Sequence, residues 1–85
     1  MNPQLAIRLA CNAGSALGSH PVPSSLVRNC IVTAAACERL GVQSVNVELA
    51  IGRALAIRQG VMTPRQAEDL VRSCEAVFDG GLVEE

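Results

Sequence analysis

Close helix packing is the architecture best suited to a chain whose apolar residues are nearly all small or aliphatic. Hydrophobic residues make up 49% of the sequence, yet Phe78 is its only aromatic, and Trp and Tyr are absent. Without large rings to span gaps between elements, a core of Ala, Val, Leu, Ile and Gly closes only if backbones come near one another. The same composition removes base stacking and aromatic cages. All seven basic residues are Arg, which also removes lysine nucleophiles.

Apolar periodicity and punctuation predict an all-α fold, a compact bundle of four helices at about 3–17, 25–40, 45–59 and 64–79. Asn2 reads as an N-cap with Pro3 at the first helical position. Leu5, Leu9, Ala13, Ala16 and Leu17 follow at helical spacing, with Gln4, Arg8, Asn12 and Ser15 on the opposite stripe. Ala10, Gly14 and Gly18 form a small-residue row suited to close approach, and Gly18 ends the helix. Ser19–Pro23 is a stiff connector. Ser24 or Ser25 opens a second helix whose apolar face reads as Val27, Cys30, Ile31, Ala34 and Cys37, with Asn29 elsewhere. Gly41-Val42 is a left-handed stop.

Ser44 caps a third helix that is apolar almost all round, which predicts a central position. Gly52 in its middle costs helix propensity and marks a tight crossing. Gly60-Val61 repeats the stop signal. Thr63-Pro64-Arg65-Gln66 is a capping box. The fourth helix carries one apolar stripe of Ala67, Leu70, Val71, Cys74, Val77 and Phe78, with Arg65/Asp69 and Glu68/Arg72 spaced for ion pairs. The expected core includes Leu9, Ile31, Ala34, Ile51, Leu55, Leu70, Val71 and Cys74.

The 85 residues make one helical domain, residues 1–85, with no room for a second core. The charged fraction of 18% is below the typical quarter, so some surface is expected to meet a partner. A net charge of −1 argues against nucleic-acid binding, which needs surplus cations at phosphates. The uncharged stretch from Leu9 to Val27 is broken by Asn12, Ser15, Ser19, His20, Pro21 and Pro23, so no membrane span is expected. A signal peptide is not recognisable, and the chain reads as cytoplasmic.

Ala34–Val42, followed by Ser44 and Val47, resembles the helix–turn–helix pattern of DNA-binding regulators, in which Ala, Gly and Val fix the turn. The resemblance spans about a quarter of the chain and implies a reading helix near 43–55. That helix offers one cation, Arg53, beside Gln43 and Asn46, whereas groove reading takes several Arg, Asn or Gln with phosphate contacts alongside. A structural hairpin is the better account. Cys11, Cys30, Cys37 and Cys74 lack a Cys-x-x-Cys knuckle, and the chain has one His. Core thiols fit better than a metal site. His20 has no nucleophile or orienting partner that the sequence can nominate.

The sequence therefore predicts no enzyme, no catalytic residue, no metal and no cofactor. It predicts a non-catalytic protein–protein interaction module that forms a homo-oligomer and acts as adaptor or stoichiometric inhibitor of another protein. Phage and mobile-element genomes encode standalone inhibitors of this size. The alternatives are a helix–turn–helix regulator, with an Arg face from Arg28, Arg39 and Arg53, and an oligomeric sponge for an anionic small ligand. The expected partner surface is the polar side of the fourth helix with the adjoining loop: Arg58, Arg65, Gln66, Asp69, Arg72 and Ser73.

Overall fold

A computed structural model describes residues 2–18, 22–58 and 60–77. Four helices account for most of them, α1 (Pro3–Leu17), α2 (Ser24–Leu40), α3 (Val45–Ile57) and α4 (Pro64–Ala76), and no strand occurs among the described residues. The all-α bundle expected from periodicity is the observed fold. Going round it, the neighbours run α1, α3, α4, α2, with α1 and α4 diagonal. The α1–α3 contact is the most extensive.

The helix boundaries follow from local chemistry. Asn2 accepts a hydrogen bond from the Gln4 amide with Pro3 just inside the helix, and Ser44 accepts from the Val47 amide. Thr63 and Gln66 complete both arms of the capping box. At the end of α2, Gly41 adopts φ 71°, ψ 30°, and the Val42 amide donates to the Cys37 carbonyl. An L side chain at Gly41 would be strained in this left-handed turn.

α2 opens at Ser24, one of the two serines expected to start it, with Pro23 at the N-cap position and no side-chain cap. Other boundaries differ from the expectation. α3 ends at Ile57, with Arg58 extended at its C-cap, so Gly60 (φ 132°) belongs to the connector and does not repeat the Gly41 stop. The α4 helix ends at Ala76, and residues 78 and 79, like Gln59 and the His20–Pro21 part of the first connector, lie outside the described residues. α3 is not surrounded. Val45, Leu49 and Ile57 are exposed, because its neighbours cover only the Val47–Ile51–Leu55 side.

The core contains Leu5, Leu9, Leu26, Val47, Ile51, Leu55, Val71 and their small neighbours. Leu9, Ala34, Ile51, Leu55, Val71 and Cys74 are buried as expected, and Leu70 is half-buried at the edge. Ile31 is 43% exposed. The buried side of α2 runs through Leu26, Asn29, Cys30, Thr33, Ala34 and Cys37, rotated away from Val27 and Ile31. Asn29 is the cause. Its Nδ2 donates to the Gly60 carbonyl at 2.7 Å and its Oδ1 accepts from the Met62 amide at 3.0 Å. The Thr33 hydroxyl donates to Met62 Sδ at 3.7 Å. These two polar residues pin the α3–α4 connector to α2 and satisfy backbone groups that burial would otherwise leave unpaired.

Gly52 sits at the α1–α3 crossing. A Cβ there would lie 3.1 Å from the carbonyl carbon of Asn12 and 3.2 Å from the amide nitrogen of Ala13. Those are backbone atoms, so the closest seam uses Gly52, not the Ala10–Gly14–Gly18 row.

Candidate functional site

α1 and α2 form a hairpin whose outer side stays open. Along α1, Pro3, Ala6, Ile7 and Ala10 recur at helical spacing, and along α2 so do Val27, Cys30 and Ile31. Together they line a groove of about 260 Å³ with a wholly apolar surface. Ala6, Ala10 and Cys30 form the floor, since their short side chains cannot fill the gap between two helices. Ile7, 61% exposed, and Val27 and Ile31, 42% and 43% exposed, stand as walls. Ile31 was expected in the core, and Val27 on the same apolar face of α2. They are apolar because they form this groove, and they are exposed because Asn29 and Thr33 turn the opposite side of α2 inward.

A second concavity, about 380 Å³, is polar and lies on another face of the same N-terminal half of α1, lined by Asn2, Leu5, Arg8, Cys37, Glu38, Gly41, Val42, Gln43 and Glu48. Its charges are already engaged. Arg8 Nε donates to Glu48 Oε1 at 2.9 Å, and Asn12 Nδ2 donates to the Glu48 carbonyl at 3.4 Å. The hydrogen bond and the charge of Glu48 raise the Arg8 pKa further above its ordinary value. Arg8 and Asn12, assigned by the sequence to a solvated stripe, therefore tie α1 to α3. Among the described residues no buried side-chain nitrogen or oxygen lacks a partner.

The thiols divide three to one. Cys30, Cys37 and Cys74 are buried and Cys11 is exposed, which corrects the expectation of a core thiol at position 11. Burial pushes Cys30 and Cys37 up to about 11 from 9.0, with the negative charges of Glu48 and Glu75 adding to the effect at Cys37. Burial also raises Cys74. Thiols held protonated in this way are poor nucleophiles and poor ligands. Among the described residues no cluster of three His, Cys, Asp or Glu is placed to hold a metal ion, and no helix is long and apolar enough to cross a membrane.

The residues expected to bind a partner lie on two elements, Arg58 at the C-cap of α3 and the other five along α4. Arg58 lines a depression with Leu17, Pro23, Ser25, Leu26, Leu55 and Ala56, to which α4 contributes nothing. Arg65, Gln66, Asp69, Arg72 and Ser73 are exposed along α4. Gln66 is occupied by the capping box, and Ser73 Oγ donates to the Asp69 carbonyl at 2.9 Å. Glu68 does not pair along its own helix with Arg72. It accepts from Arg39 of α2, with Nη2 at 3.0 Å. That bond also removes Arg39 from the Arg face a DNA-binding reading needs, and α3 lies chiefly against α1 rather than against α2.

The groove was missed for a specific reason. Two overlapping apolar stripes run along α2, 26/30/34/37 and 27/31/34, and the polar pair Asn29–Thr33, spaced four apart, marks which side is buried. An Asn and a Thr aligned beside Cys30 and Ala34 were the available signal.

No known family, curated protein or solved structure matches this chain.

Proposed function

We propose that this chain is a non-catalytic protein–protein interaction module of the cytoplasm, self-associating and acting as adaptor or stoichiometric inhibitor of a larger partner. The observation that carries the reading is the α1–α2 groove: a concave, wholly apolar surface walled by three exposed aliphatic residues, on a chain in which every buried side-chain nitrogen and oxygen among the described residues has a partner. Exposed aliphatic side chains gathered round one concavity, rather than scattered singly, support docking of another macromolecule there. The outer side of α4, diagonal to α1, supplies a second surface with Arg65, Asp69 and Arg72 exposed. Free thiols suit a reducing compartment. A sponge for anions gains little support from the polar concavity, because Glu48 already neutralises Arg8.

Capture from extracts of the native host, with tagged wild type, Ile7→Asp/Ile31→Asp and Arg65→Glu/Arg72→Glu as baits, tests the reading. Wild type should retain one protein at equal stoichiometry, and at least one double variant, still helical, should lose it. Recovery of background alone by wild type sinks the proposal. Capture that survives the α4 reversals reduces that side to solvated surface.

A further inference from the structure

We draw no further inference here: the strongest candidate, the apolar groove between α1 and α2, belongs to the site already described, and nothing in the structure shows what covers it.

Discussion

On its α3 side, α1 presents Leu9, Asn12 and Ala13 to a helix so near that Gly52 has no room for a side chain, and the Arg8–Glu48 pair closes the end of the seam. On its α2 side the same helix presents Ala6 and Ala10, no larger than Ala13, and the space above them stays open. Small side chains are common to both sides. What differs is whether the facing backbone follows them in. Small residues close a seam only when the partner helix can approach, and on this side α2 turns its Asn29 face toward the Gly60–Met62 connector. Where the backbone stays back, the same composition makes a groove.

The largest expected effect breaks the closed side. Gly52→Ala ordinarily helps a helix by about 1 kcal/mol, but here the new methyl runs into Cβ of Asn12 and meets the backbone of Asn12 and Ala13 at 3.1 and 3.2 Å. Overpacking against backbone costs about 1–3 kcal/mol or more, and α1 and α3 must part to relieve it. The net result should be destabilisation by about 2 kcal/mol, read as a lower urea midpoint. An unchanged or raised midpoint would mean that the crossing is looser than described.

The two sides differ in how far the sequence disclosed them. Caps and stops were legible because their chemistry is local: Asn2–Pro3, Gly41–Val42, Ser44 and Thr63–Gln66 each act within a few residues. Gly52 was legible as a crossing because its propensity cost calls for a compensating contact. The facing of α2 was not. It depends on hydrogen bonds from Asn29 to residues 60 and 62, more than thirty positions away, and no period within α2 encodes that distance. The same non-locality misplaced Glu68, whose nearest cation in sequence is Arg72 but whose partner in space is Arg39. The exposed side of α3 was illegible too, since apolar residues all round a helix leave open which neighbours cover it.

An effect of middle size comes from the thiols and sharpens where the groove ends. Cys30 lines its floor yet is only 1% exposed, while Cys11 faces solvent nearby on α1. Ellman's reagent near pH 8 should therefore modify Cys11 rapidly and the other three only as fast as the chain unfolds. The folded state holds the protons of Cys30 and Cys37 up to about pH 11, whereas the unfolded thiols release theirs near 9.0. Between those values the folded state binds more protons, so stability present below pH 9 declines as pH rises toward 11. The melting temperature should fall across that window, and the slope should flatten in Cys30→Ala/Cys37→Ala. Reaction of Cys30 before global unfolding would show that the groove opens deeper than its floor.

The smallest effect is the most discriminating, because it repeats the first experiment on the open side with a larger side chain. Ala10→Leu adds three carbons where Gly52→Ala adds one. Leu is a good helix former, so propensity changes by only a few tenths of a kcal/mol. Its side chain enters a concavity of about 260 Å³ and buries apolar surface against Ile7, Val27 and Ile31. Gain and loss nearly cancel, and at concentrations where the chain is monomeric the change in stability should stay within about 0.5 kcal/mol, as for a surface position. If Ala10→Leu were as costly as Gly52→Ala, the α1–α2 seam would be as closed as the α1–α3 seam. The groove, with the docking proposed there, would then be lost. If it is tolerated in the monomer but weakens capture of the partner, the space above Ala10 is space that the partner uses.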